Sequence, residues 1–361
     1  MNQSGSESKK IFDVPLLPEE PYIDFLVEQQ DHIHSVHFSI CSPYRLDGRY
    51  LLDPCSQEEK LSVLLQQLGR VKKYGLLNSR FLAKRFYSDS SFLSDTCERL
   101  NGLLDSANID GLVYNDHYLL QALADYSPDT ASALEAVPGV NSQLITFEEI
   151  ALRMDYIGGS GFRLPQKLIL DRAVNRNFNA LKIISEKCRA SYPDLHLELL
   201  ANEGCLLHCP FKLSHDAHIS LANSGLENDI GLELNKKLGC MAIFDKEPER
   251  IFQSPFIRPE DVDHYLPFVS GIKLCGRTIG SSFLMDLITA YINRCYEGNM
   301  LSLFDTLEWL AQSLHIDNHR LPKDFLDTLA NCDNNCSQCR YCQKLADKCR
   351  PLKMSLPDLR R

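Results

Sequence analysis

Four cysteines, Cys332, Cys336, Cys339 and Cys342, fall within eleven residues in the pattern C-x3-C-x2-C-x2-C. No regular helix or strand presents four thiolates that way unless it wraps around something they share, and such a set does soft-metal chemistry. The spacing is that of a bacterial ferredoxin run read backwards, which favours an iron-sulfur cube. Structural zinc, which more often uses two separated C-x2-C knuckles, is the alternative. Cys349 lies near enough in sequence to replace one ligand. A second set is looser: Cys205 and Cys209 follow the apolar run of HLELLANEG, and Cys240 comes some thirty residues later. If 205–209 opens a helix, its two sulfurs share one face. Three thiolates leave a fourth position to Cys41, to Cys275 or to an open iron.

Polar candidates surround these sulfurs in the sequence. His208, His215 and His218 crowd the stretch after Cys205; capping or hydrogen bonding suits them better than metal ligation, and His215 or Asp216 is the acid/base candidate. Arg258, Lys273 and Arg277 offer cations to an anionic ligand, Arg through its planar fork. Pro259-Glu260-Asp261 also has the form of a helix start, with Pro first and acids in the first turn. His32, His34 and His37 read as structural or surface groups. Cys97, Cys188 and Cys295 sit in helical patterns and read as small buried thiols, and Cys55 carries no signal.

The elements that must position these residues alternate. Helical periodicity in YIDFLVEQQ, EEKLSVLLQQLGRVKKYG, SSFLSDTCERLNGLLDSA, HYLLQALADYS, FEEIALRMDYIG and FNALKIISEKCRASY is followed each time by a short apolar run: IHSVHFSI, LLNSRF, IDGLVYN, ALEAVPG, QKLILDRAV and HLELLANEG. PEDVDHYLPFVS then leads to GIKLCGR and a long helix, SSFLMDLITAYINRCYEG. Seven or eight βα units without Asn-Gly hairpins predict an α/β fold, a TIM-like closed parallel barrel over 11–300. The open doubly wound sheet is the alternative, but no Gly-rich phosphate fingerprint follows an early strand. Residues 1–10 read as a disordered leader. Residues 301–361 read as a helical extension carrying the cysteine motif, with helices in SLFDTLEWLAQSLH and PKDFLDTLANC. In a barrel the loops after the strands form the working face, which puts Cys41, Cys205, Cys209 and Arg277 at one end.

Composition narrows the class. The chain has 361 residues, 44% hydrophobic and 24% charged, with a net charge of -10, ordinary for a globular protein and opposed to a wholly basic polyanion binder. No stretch approaches the ~20 apolar residues of a membrane helix, and the polar start MNQSGSESKK lacks a secretory apolar core. The expectation is a cytoplasmic protein, whose fourteen cysteines stay reduced and serve metal, catalysis or burial. Residues 331–361 hold seven Lys and Arg against three Asp, a basic tail that leaves an RNA contact open.

In combination, NEGCLLHCPFKLSH, the later lone Cys240, SPFIRPEDVDHY and GIKLCGR resemble the peptidase U32 family, often labelled collagenase-like, over about 11–300. The cysteine run at 332–342 lies outside that core and resembles an added ferredoxin-like module. The resemblance implies a TIM-like barrel holding an oxygen-sensitive [4Fe-4S] cluster by four cysteines, and so two clusters in this chain. It also implies a role in hydroxylation, as in relatives that act without O2 on ubiquinone precursors or on pyrimidines of tRNA and ribosomal RNA with prephenate as oxygen donor. Carried over by position, Cys205 matches the Cys of the EGC motif, Cys240 the later single Cys, Cys209 their neighbour, and Cys41 the early ligand of the ubiquinone-pathway members. Arg258 stands where some relatives have the final Cys.

The leading expectation is therefore an iron-sulfur enzyme of the U32 type that modifies an organic or RNA substrate. It would use a small anionic co-substrate held by Arg258, Lys273 and Arg277, and an electron-donor protein. A peptidase with Cys205 or His215 in the reacting group is the first alternative, although no HExxH or GxSxG occurs. A redox-sensing or maturation scaffold without catalysis of its own is the second.

Overall fold

The computed structural model describes residues 10–49, 58–227, 231–305, 307–312, 314–333 and 335–348. Eight strands, β1 (Phe12–Pro15), β2 (Ile33–Ser39), β3 (Lys72–Leu77), β4 (Gly111–Tyr114), β5 (Glu135–Pro138), β6 (Lys167–Ile169), β7 (His196–Leu200) and β8 (Gly271–Lys273), are paired in the order β5-β4-β3-β2-β1-β8-β7-β6. Every pair is parallel. The ring is completed just before β6, where Arg163 exchanges backbone bonds with β5 and its flank: Ala136 N donates to Arg163 O at 3.2 Å and Arg163 N to Leu134 O at 2.9 Å. The fold is the expected TIM-like α/β barrel.

Helices α1 (Glu20–Glu28), α2 (Glu58–Gln67), α3 (Ser90–Ala107), α4 (His117–Tyr126), α5 (Pro128–Ala133), α6 (Phe147–Ser160) and α7 (Phe178–Ser191) run between the strands. Side-chain caps start them: Asp89 for α3, Asp116 for α4, Asn177 for α7, and a reciprocal Thr146/Glu149 capping box for α6. A long excursion after β7 holds α8 (Lys212–Asn223), α9 (Leu232–Lys237), α10 (Cys240–Lys246) and α11 (Val262–Tyr265); α12 (Ser281–Asn293) follows β8. The extension carries α13 (Phe325–Ala330), α14 (Cys336–Cys339) and α15 (Tyr341–Lys348). Among the described residues no helix is long and apolar enough to cross a membrane.

Several local expectations are corrected. The helix expected over 58–75 stops at Gln67; Gly69 takes φ +53, and Lys72–Leu77 is strand, because Val71 and Tyr74 turn into the core. β1 carries no sequence expectation and completes the ring. The single helix expected at 302–315 is instead two 3-10 segments, Met300–Leu303 and Glu308–Gln312. Residues 205–209 form no helix: α8 begins at Lys212, and His208 takes φ 51. Cys97 and Cys188 are buried, but Cys295 is exposed past the end of α12. Residues 1–9, Cys55 and Cys349 lie outside the described residues.

The two faces of each strand differ as a period of two requires. Val36, Phe38, Leu112, Ala136, Leu168, Leu197, Leu199 and Ile272 face the helices in the main core. Inside the barrel the filling is split. Tyr74, Leu76, Val113, Val137 and Ile169 form a small apolar cluster on the β3–β6 side. Asp13, Ser35, His37, Glu198 and Lys273, with Lys167, occupy the rest, all buried.

Candidate functional site

The C-terminal mouth of the barrel is built on the exit of β7. Asn202 is fully buried and works as a staple: its Nδ2 donates to Cys275 O (2.8 Å) and Leu303 O (3.2 Å), and its Oδ1 accepts from Cys275 N (2.7 Å). The ends of β7 and β8 are thereby tied to the segment after α12. Gly204 lies in the contact so made. A Cβ there would come within 2.6 Å of Phe304 and 2.7 Å of Leu307, which is why the residue before Cys205 has no side chain. Gly204→Ala is expected to cost about 1–3 kcal/mol by overpacking, read as a lower urea midpoint at unchanged m-value.

Buried ion pairs line this mouth. Glu203 is ion-paired with Arg172 Nε at 2.8 Å and accepts from Arg49 Nη2 at 3.2 Å, and Arg49 also bonds Asp305. Burial drives the Glu203 carboxyl up, but Arg172 and Arg49 outweigh it and hold it below its ordinary value. Asp305 ends above its ordinary value, because burial prevails over Arg49. Arg277 bonds Asp47, whose other oxygen accepts from Ser39 Oγ at 2.6 Å. Five segments, the loops after β2, β6, β7 and β8 and the stretch after α12, thus meet through arginine–carboxylate pairs.

Below the mouth Asp13 is a hub. It accepts from Ser35 Oγ (3.0 Å), Lys167 Nζ (2.9 Å) and Lys273 Nζ (2.5 Å), and its Oδ1 lies 3.0 Å from His37 Nδ1. Burial alone would raise Asp13, yet Lys167 and Lys273 hold it well below the carboxylate range. Lys273 also lies 2.8 Å from His37 Nδ1. Burial and that ammonium press His37 down to about 3, leaving a neutral ring. Lys167 packs over the Tyr74 ring at 4.4 Å.

Cys209 is close enough to Cys205 and to Cys240 to add to the rise of each, though among the described residues the three sulfurs do not all lie within 4.8 Å of one another. Burial, then Glu203 with its Oε2 at 3.9 Å, pushes Cys205 up to about 12. Cys275 is pushed to about 12 by burial and by Asp305, and it faces Lys273 and Arg49 at the same mouth. Cys41 stands elsewhere, in a recess of about 350 Å³ with Leu61 and Ser62 of α2 and Asp95 and Arg99 of α3. Asp216 pairs with Lys212 (2.5 Å) and Arg80 (3.6 Å), and burial keeps the neighbouring His215 low. Arg258 is committed. Both arms of its fork reach Asp261 at 2.7 Å, holding the start of the 259–265 turn, and its guanidinium lies 4.8 Å from the Phe325 ring of the extension.

In the extension Cys332, Cys336, Cys339 and Cys342 rim a hollow of about 460 Å³ with Arg250, Gln253, Arg340 and Tyr341. Gln253 Nε2 donates to Cys336 Sγ at 3.5 Å. Burial and the other three thiols together push Cys342 up to about 11. An all-sulfur set suits a soft metal centre. Among the described residues no three of these sulfurs come within 4.8 Å of one another.

No family model matches the chain. An uncharacterized protease, MJ1657, of Methanocaldococcus jannaschii is 32% identical over 186 residues, which is 52% of this chain and 54% of that protein. The chain spans about half the length of this curated relative. The structure of the U32 peptidase Mk0906 aligns at 15% identity with a TM-score of 0.48, covering 76% of this chain and 94% of that one.

Of the residues at the mouth and in the interior, sequence reasoning singled out Lys273, Arg277 and the cysteines. It missed Arg49, Arg172, Glu203 and Asp305, which converge only in space, and it set His37 aside as structural or surface. A signal existed for the interior group. Asp13 in FDVP, Lys167 in KLI and Glu198 in HLELL are charges inside apolar strand runs, at positions whose period-two neighbours face the barrel.

Proposed function

We propose that this chain is a cytoplasmic iron-sulfur protein of the peptidase U32 type that supports oxygen-independent hydroxylation, or a related modification, of an organic or RNA substrate. The observation that carries the reading is the gathering of sulfur at two places, Cys205 with Cys209 and Cys240 over the barrel mouth, and Cys332, Cys336, Cys339 and Cys342 around the hollow in the extension. The 32% identical relative over half the chain and the motif resemblance support the same family. Those two sets would each hold a [4Fe-4S] cluster, with Cys275 nearer than Cys41 to the fourth position at the mouth, and zinc as the alternative metal in the extension. When bound, such clusters supply electron transfer and, where a ligand position is open, a Lewis-acidic iron.

The chain's own residues do the positioning. Arg172 and Arg49 fix Glu203, and with it the turn that carries Cys205. Arg277 and the two arginines are each paired with a carboxylate at the mouth, and Lys273 with Asp13 below it, so a small anionic co-substrate would share these cations with Glu203, Asp305, Asp47 and Asp13. Arg258, held by Asp261, takes no part in that set. An electron-donor protein would meet the exposed Cys336 and Cys339.

The relative's description as a protease favours a second reading, peptide hydrolysis with Cys205 or His215 in the reacting group. A nucleophilic thiol needs a lowered pKa and a base beside it. Cys205 instead has Cys209 beside it, which in turn neighbours Cys240, and a thiolate bound to iron is not free to attack a peptide bond, so the iron-sulfur reading is preferred.

Iron analysis with EPR of anaerobically purified full-length protein tests it. About eight irons per chain are expected, with Cys336→Ala and Cys205→Ala each losing about half the iron and one signal while keeping the other. Wild-type protein that binds about four irons or none, or protease activity that survives iron removal and depends on one side chain, overturns it.

A further inference from the structure

At the opposite, N-terminal end of the barrel, His34 of β2 meets His196 and Glu198 of β7. We propose that these three side chains hold one divalent transition-metal ion of the zinc class. It would tie β2 to β7 across the two strands that separate them. The donor atoms, one nitrogen from each ring and a carboxylate oxygen, already lie within 4.8 Å of one another.

Two observations point to a ligand. Glu198 is fully buried, yet neither of its oxygens has a hydrogen-bond partner among the described residues, and His34 Nε2 has none either. Its nearest cation, Lys167 Nζ, stands at 3.6 Å, and His196 Nε2 at 3.8 Å from the other oxygen. A buried carboxyl group left in that state is costly unless something fills the coordination. Gly271 makes the space: a Cβ there would sit 2.3 Å from His196 Nε2 and 3.0 Å from Glu198 Cγ.

The metal class follows from the surroundings. Lys167 is balanced by Asp13 at 2.9 Å and Lys72 by Glu135 at 3.5 Å, so no surplus of negative charge is present to hold a hard cation such as calcium or magnesium. Two imidazoles and a carboxylate instead suit zinc, which binds through nitrogen and oxygen at about 2.0–2.2 Å. The rings are now stacked, with centroids 3.8 Å apart and planes 3° from parallel. Binding therefore turns one ring until its nitrogen faces the ion, and draws the donors about 1 Å closer. At this end of a barrel the expected role is stability rather than chemistry.

Zinc itself is the probe, titrated into full-length protein and read by stoichiometry and melting temperature. Wild type is expected to take up one zinc more per chain than His34→Gln or Gly271→Ala, and zinc to raise its melting point by about 5 °C more than theirs. Cobalt at this site should show weak bands without sulfur-to-metal charge transfer, which separates it from any cysteine-bound ion. His34 is part-exposed, so His34→Gln carries the test even if Gly271→Ala fails to fold. Equal zinc uptake and equal melting shifts in wild type and His34→Gln overturn the proposal. Neither result depends on whether the cysteines hold iron.

Discussion

Asp13→Asn is expected to remove about 3–5 kcal/mol of folding stability, a large share of the ~5–15 kcal/mol that a domain has in total. The substitution changes one atom and leaves the shape of the barrel interior alone. What it removes is the anion that balances two buried ammonium groups, Lys167 at 2.9 Å and Lys273 at 2.5 Å. The two do not lose equally. Lys167 keeps Glu198 at 3.6 Å, whose carboxyl, raised to about 8 by burial, can ionise more readily once Asp13 no longer repels it. Lys273 keeps the neutral His37 at 2.8 Å and weaker support from Cys275 and Glu198, and its pKa, already lowered by burial, falls further. The cost should therefore shrink at alkaline pH, where Lys273 deprotonates. Urea unfolding of both proteins at pH 7 and pH 9 measures it. A loss under 1 kcal/mol at pH 7 would show that the hub is not what holds the interior together. Adding Lys273→Met to Asp13→Asn should recover part of the loss, since a buried pair replaced as a whole costs far less than a pair broken.

The sequence carried the barrel because a TIM-like fold repeats one unit: helical period, turn, short apolar run. It carried β1 and β3 poorly for opposite reasons. FDVP is four residues with a charge and a proline in it and has no length in which to show a period. EEKLSVLLQQLGRVKKYG keeps a helical look past Gly69, although Lys72 to Gly75 belong to the strand. The four terminal cysteines were legible because their neighbourhood is local, set by eleven residues of chain. Arg49, Arg172, Glu203 and Asp305 were not, because they arrive from four different loops and only the closed sheet brings them together. Arg258 shows the converse. A cation in a motif looks free in sequence, whereas in the fold Asp261, three residues on, takes both arms of its fork.

His37 should leave a signature in the pH dependence of stability. Its folded pKa is depressed to about 3 by burial and by Lys273, against an unfolded value of about 6.5. Below pH 6.5 the unfolded chain binds a proton that the folded one refuses, so this stability is complete above pH 6.5 and drains away as pH falls toward 3. Between pH 7 and pH 5 the loss is about 2 kcal/mol for this one group. Asp13, Lys273 and Arg277 face the ring, and Asp13 is held well below the carboxylate range. Glu198 pulls the other way: raised to about 8, it gains folded-state protons as pH drops through 8. The wild-type curve alone therefore mixes two opposing trends, and the informative quantity is the stability difference between wild type and His37→Gln. Glutamine cannot titrate but can still reach Asp13. The wild type should lose about 2 kcal/mol relative to the variant between pH 7 and pH 5, measured by urea unfolding at each pH. A difference that stays constant would mean that the ring accepts its proton inside the barrel, with Asp13 outweighing both burial and Lys273.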